Sequence, residues 1–209
     1  MQQQTIGLAA LKFGCQRGGR RIFRDLSFNL APGEALLVSG PNGAGKTSLL
    51  RQIAGLLPLA SGELRVEGAG RDAVLPELCH YIGHLNAVKP SLSVGENLHF
   101  WSEFLGGDGD ETGEALAAFG LAALADLPAG LLSAGQKRRL ALSRLLAAKR
   151  PVWLLDEPQT SLDAASLKLL DTAINHHLAT GGIAVIASHT PLKTKVTRRI
   201  ALGSKGRAS

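Results

Sequence analysis

The sequence predicts an α/β fold with a mainly parallel sheet core and an inserted α-helical subdomain. Three observations carry this. The short apolar runs ALLVS (35–39), VWLL (152–155) and IAVIA (183–187) each have the length and character of a strand buried on both faces. Helical stretches over 47–57 and 164–179 follow the first two, and strands alternating with helices imply parallel pairing. Residues 88–149 read as mostly helical and interrupt that alternation. The expected organisation is one domain over 1–209, with 1–87 and 150–209 as the α/β core and 88–149 as the helical subdomain.

The elements follow in order. Residues 22–30, IFRDLSFNL, alternate apolar and polar and predict a strand. Ala31-Pro32-Gly33-Glu34 is a turn. The ALLVS strand runs into GPNGAGKTS and a helix to Leu57. Residues 62–68, GELRVEG, read as a further strand, and Gly106 to Asp110 as a flexible loop. A helix over 137–146 opens with Leu132-Ser133-Ala134-Gly135-Gln136.

Composition excludes several classes. Hydrophobic residues at 45% and charged residues at 19% describe an ordinary globular chain, not a collagen, a coiled coil or a disordered polymer. Glycine, 25 of 209 residues, exceeds the usual share of about 7% and points to tight turns and close approaches. Lys and Arg number 23 against 17 Asp and Glu, a net charge of +6. Lys193, Lys195, Arg198, Arg199, Lys205 and Arg207 account for all of it, so the body is near neutral and no nucleic-acid partner is expected. That tail reads as a solvated, frayed terminus, with anionic lipid or RNA contact as the alternative. Two cysteines, Cys15 and Cys79, without a CxxC pair fit a reducing compartment. The N-terminus lacks the pattern of a signal peptide, and no apolar run reaches the length of a membrane span.

Gly40-Pro41-Asn42-Gly43-Ala44-Gly45-Lys46-Thr47 fits GxxxxGK[ST], with Ser48 following. Glycines let a backbone wrap phosphates with its N–H groups inward, and the helix that follows points its positive end at the same charge. Lys46 would reach the β and γ phosphates and the Thr47 hydroxyl would bind Mg²⁺. A glycine turn capping a helix is the plainer reading, but the match also sits between a strand and a helix, as phosphate binding requires. The strand over 152–155 ends in two acids. Asp156 is placed to hold Mg²⁺ and Glu157 to polarise an attacking water. Ser133 is a plausible N-cap. Capping leaves Gly135 unexplained, since glycine in a first turn costs about 1 kcal/mol against alanine; a small residue there permits close approach of a ligand phosphate.

The ordered motifs GPNGAGKTS, LSAGQ, VWLLDEP, SLD and a late SH resemble the ATP-binding cassette (ABC) ATPases over nearly the whole chain. The resemblance implies ATP and Mg²⁺ as ligands, with hydrolysis in a nucleotide-dependent head-to-tail homodimer. It implies that Ser133, Ala134, Gly135 and Gln136 act in trans on the partner's ATP, that Asp163 is the D-loop residue, and that His189 is the switch histidine facing the γ-phosphate.

Two positions depart from the family pattern. The aromatic residue that stacks on adenine falls near Cys15, with Phe13 the nearest ring. The glutamine of the Q-loop is missing from Tyr81-Ile82-Gly83-His84-Leu85-Asn86, where His84 or Asn86 would substitute. Within the family, stretches such as Ile82-Gly83-His84, Glu96-Asn97-Leu98-His99-Phe100 and Ser188-His189-Thr190-Pro191-Leu192 resemble the ATP-binding subunits of bacterial haem exporters in cytochrome c biogenesis. That implies polytopic membrane partners of the CcmB and CcmC type and a peripheral place on the cytoplasmic face of the inner membrane. The alternatives are the ATPase of another small exporter, a soluble non-transport cassette, and a degenerate cassette that binds ATP as a structural part.

Overall fold

The structure, a computed structural model, describes residues 6–70, 73–190 and 193–203. The chain divides into two compact units. The first takes in Met1–Tyr81, Pro151–Glu157 and Ile174–Ser209; the second takes in Ile82–Arg150 and Pro158–Ala173.

The first unit is built on two sheets. The smaller holds β1 (Gly7–Arg17), β2 (Arg20–Leu30) and β4 (Ser61–Glu67) in the order β2-β1-β4, with both pairs antiparallel. The larger holds β3 (Ala35–Ser39), β5 (Cys79–Ile82), β6 (Val152–Asp156), β7 (Ile183–Ala187) and β8 (Arg198–Ala201) in the order β5-β6-β7-β3-β8. β6 with β7, β3 with β7, and β3 with β8 are parallel. Helix α1 (Lys46–Ile53) follows β3 and packs against β6 and β7. Leu36, Val38, Leu154 and Val185 are fully buried, which is why their strands carry no alternation in sequence.

Three features of the first unit differ from the sequence expectation. The antiparallel sheet is an addition, because β1 was not anticipated. Its apolar alternation is broken by register shifts between Ala10 and Gln16, with Lys12 at φ 47°. Helix α1 stops at Ile53 rather than Leu57, because Gly55 turns left-handed (φ 71°) just beyond it. The basic tail is no frayed terminus over its described part. Arg198–Ala201 forms β8, Ile200 is buried, and Arg198 Nε lies 3.2 Å from Glu34 Oε2. Lys205 and Arg207 lie outside the described residues, as do Pro191 and Leu192.

The second unit holds α2 (Val94–Phe104), α3 (Thr112–Ala118) and α4 (Ala134–Ala147), which pack on one another around Leu98, Leu116, Phe119 and Leu140. The first ten residues of α5 (Ala164–Ala179) belong to it as well. Capping boxes fix two starts. Ser93 and Glu96 close α2, and Ser133 and Gln136 close α4, so α4 begins three residues before the expected 137.

Candidate active site

The loop between β3 and α1 has the backbone its glycines forecast. Gly40, Gly43 and Gly45 have φ of 136°, 81° and 104°, values that side-chain-bearing residues rarely adopt. Two of them also face close neighbours. A Cβ on Gly40 would sit 2.4 Å from the Leu202 carbonyl oxygen, and one on Gly45 would sit 2.5 Å from Ile22 Cγ2. Pro41, Asn42 and Gly43 are exposed, Ala44 is half-buried, and Thr47 and Ser48 stand in the first turn of α1. Lys46 is buried; its ammonium donates to the carbonyls of Gly40 at 2.8 Å and Pro41 at 3.3 Å, across the loop's mouth.

Asp156 closes β6 and is buried. The chain then breaks sharply. Glu157 has φ 47°, in the left-handed region, and precedes a proline, which restricts it further. Its backbone N–H donates to Ala187 O at 2.9 Å, tying the turn to the end of β7. Its buried carboxylate lies 4.0 Å from Lys46 Nζ through Oε1 and 3.0 Å from His189 Nδ1 through Oε2. Lys46, Glu157 and His189, spread over 143 positions, therefore meet in one unit beside the glycine loop.

Mg²⁺ suits this donor set. The Thr47 hydroxyl and Asp156 carboxylate are hard oxygen donors, and Mg²⁺ characteristically takes one or two carboxylates and completes its shell with phosphate oxygens and water. Among the described residues no group of three or more His, Cys, Asp or Glu could hold a metal by itself.

The remaining expected residues lie in the second unit. Ser133 and Ala134 are exposed, and the Ser133 hydroxyl accepts from Gln136 N at 3.2 Å while Gln136 Oε1 accepts from Ser133 N at 2.8 Å. A Cβ on Gly135 would lie 2.9 Å from the Ser161 carbonyl oxygen, so the small residue also answers a neighbour within the same unit. Asp163 is exposed and caps α5 by accepting from Ser166 N at 2.8 Å; a hydrogen bond with the Ser166 side chain first, then this backbone bond, holds its carboxyl below the usual range. His84 is exposed, while Asn86 is half-buried and accepts from Arg138.

Several contributors were not read from the sequence. Arg51 Nε donates to Tyr81 Oη at 3.3 Å; burial first, then the nearby Asp156 charge, pushes the Tyr81 phenol up. Arg138 is buried with acceptors on two separate loops. Neither contact has a local signal, because the partners lie 30 and 55 positions apart. Neither residue near the expected adenine-stacking position offers a face to a base. Phe13 is fully buried and packs on Phe23 at 5.5 Å between centroids, and Cys15 is 2% exposed. Burial raises the Cys15 thiol, against a hydrogen bond with Ser48 and the charge of Arg17.

A parallel sheet, a glycine-rich loop leading into a helix, a strand ending in two acids and a helix opened by LSAGQ define an ATP-binding cassette. The ABC transporter family model matches residues 23–160, and the chain belongs to that family as an ATP-binding subunit. It is 53% identical to the cytochrome c biogenesis ATP-binding export protein CcmA of Nitrobacter winogradskyi, over 85% of this chain and 89% of that one. It is 49% identical to the CcmA of a Chelativorans species, over 94% and 98% of the two chains. A putative ABC transporter ATP-binding protein from Pyrococcus furiosus shares the fold, with a TM-score of 0.82, 24% identity, and coverage of 94% and 97%.

Proposed function

We propose that this chain is the ATP-hydrolysing subunit of a haem exporter complex serving cytochrome c biogenesis. One observation carries the chemistry: a buried carboxylate, Glu157, is set between the Lys46 ammonium and the His189 imidazole. The transport role is supported by the similarity to CcmA proteins along most of the chain.

In this reading Gly40 to Ser48 bind the phosphates through backbone N–H groups and hydroxyls. Thr47 and Asp156 would hold Mg²⁺, which would supply charge neutralisation on the transferred phosphoryl group. Lys46 leaves the Gly40 and Pro41 carbonyls for phosphate oxygens. Glu157 accepts a proton from the attacking water, and His189 holds that carboxylate in place. Ser133, Ala134, Gly135 and Gln136 serve the ATP of a second copy, and Asp163 links the two sites, in a homodimer that closes on ATP. Residues 1–87 and 150–209 act as the nucleotide-binding core, and 88–149 as the signature subdomain.

Among the described residues no helix is long and apolar enough to cross a membrane, so the reading requires separate membrane subunits. These are polytopic partners of the CcmB and CcmC type, which place the chain on the cytoplasmic face of the inner membrane. The docking region is the helical subdomain with the loop around His84. The test is affinity purification of the tagged protein from solubilised membranes of its host, with mass spectrometry and an ATPase assay. Small polytopic haem-handling subunits and hydrolysis that needs Glu157 are expected. Other membrane subunits would remove the haem assignment, and a protein without membrane partners would remove transport.

A further inference from the structure

Arg138 stands in the second turn of α4 and is 2% exposed. Its guanidinium reaches two loops. Nη1 donates to Gly83 O at 2.8 Å and to Asn86 Oδ1 at 3.3 Å, and Nε donates to Pro158 O at 3.2 Å. Gly83 and Asn86 belong to the loop that follows β5, and Pro158 follows Glu157 directly. All four residues lie in the second unit. A rigid fork of donors can hold acceptors in two directions at once, which a lysine ammonium on a flexible stem cannot do with fixed geometry.

Both loops have backbone that needs holding. Glu157 occupies a left-handed φ of 47° ahead of a proline, a conformation that persists only when its surroundings determine it. On one side the Glu157 N–H is held by Ala187 O. On the other, the carbonyl of the next residue is held by Arg138. The 83–86 loop presents His84 and Leu85 to solvent, the latter 85% exposed, and continues into Ala87 at φ 51°.

We infer that Arg138 is a positioning residue that couples the 83–86 loop to the chain leaving Glu157. A displacement of Gly83 and Asn86 draws the guanidinium with it and changes its hold on Pro158 O, and thereby the setting of the Glu157 carboxylate. The inference rests on the proposed role of Glu157 as the base.

The test uses the chain co-purified with its membrane partners and compares Arg138→Gln, Arg138→Lys, Asn86→Ala and the Arg138→Gln/Asn86→Ala pair. Arg138→Gln is expected to lower kcat for ATP about 10-fold with KM within about 2-fold, since the phosphate loop is untouched, and Arg138→Lys is expected not to restore it. Asn86→Ala is expected to lower kcat about 3-fold, with the double variant no worse than Arg138→Gln. A merely structural arginine would instead shift Tm, KM and kcat together, with the two substitutions additive. That pattern, or an unchanged kcat in folded Arg138→Gln, overturns the inference. Where Arg138→Gln does not fold, Asn86→Ala decides, and an unchanged kcat there overturns it equally. Glu157→Gln is assayed in parallel: persisting hydrolysis in that variant removes the base assignment itself, a result distinct from any Arg138 outcome.

Discussion

His189 Nδ1 lies 3.0 Å from Glu157 Oε2, an exposed imidazole against a buried carboxylate. The other carboxylate oxygen faces the Lys46 ammonium at 4.0 Å, so the anion is held from two sides with its charge offset. Replacing Glu157 by Gln keeps the shape and removes the proposed base. Hydrolysis should fall about 100-fold or more while nucleotide binding survives. Size-exclusion chromatography with ATP and Mg²⁺ should then show a stable dimer; a monomer under those conditions counts against the sandwiched-nucleotide mechanism.

Gly135 meets the Ser161 carbonyl so closely that an added methyl would lie 2.9 Å from it. Gly135→Ala should therefore displace the segment around Ser161 or the start of α4. Because the proposed role of Gly135 is toward the ATP of a second copy, nucleotide affinity of the isolated chain should stay within about 2-fold while hydrolysis drops about 10-fold. Parallel nucleotide titrations and turnover assays separate the two. A matching loss of affinity would show that the substitution reaches the phosphate loop.

His177 stacks on Trp153 at 3.9 Å between centroids and 8° between planes, with Nε2 3.2 Å from Ile183 O. Burial, the largest cause, lowers its pKa from 6.5 to about 4. The unfolded chain therefore takes up a proton at a pH where the folded chain does not. Above pH 6.5 the residue has no effect; as pH falls from 6.5 to about 4 it progressively destabilises the fold. The full penalty is on the order of 3 kcal/mol. Urea melts at pH 7 and pH 4.5 should show a smaller drop for His177→Phe, which keeps a ring on Trp153 and cannot titrate. An equal drop in both proteins would assign the acid sensitivity elsewhere.

Cys15 is buried beside Ser48, where the family pattern would put an aromatic residue. Tyrosine at this position overfills a packed site rather than offering a face to a base. Cys15→Tyr should lower stability by about 1–3 kcal/mol and leave the preference for ATP over GTP unchanged. Thermal melts and competition binding measure both. A variant that is stable and more selective for ATP would place the base against residue 15 after all.

What the sequence made legible follows the range of its signals. The buried parallel strands were readable because burial on both faces leaves continuous apolar runs such as IAVIA. The glycine loop after β3 was readable because its backbone demands glycine at fixed offsets. Ser133 was readable as a cap because capping is local chemistry. β1 was not, since its bulges break the period of two, and β8 was not, since RRIA is short and mostly exposed. The left-handed turn at Glu157 and the Arg138 contacts are tertiary outcomes, set by neighbours 20 to 55 positions away that no window along the chain contains.

The Leu202 carbonyl that closes over Gly40 has a practical consequence for handling the protein. A purification tag joined immediately after Leu202, or a deletion reaching into β8, would tug on the wall of the glycine loop. Weak nucleotide binding measured on such a product would report the cloning junction rather than the enzyme. A spacer placed beyond Gly203, or a tag at the opposite terminus, avoids the artefact.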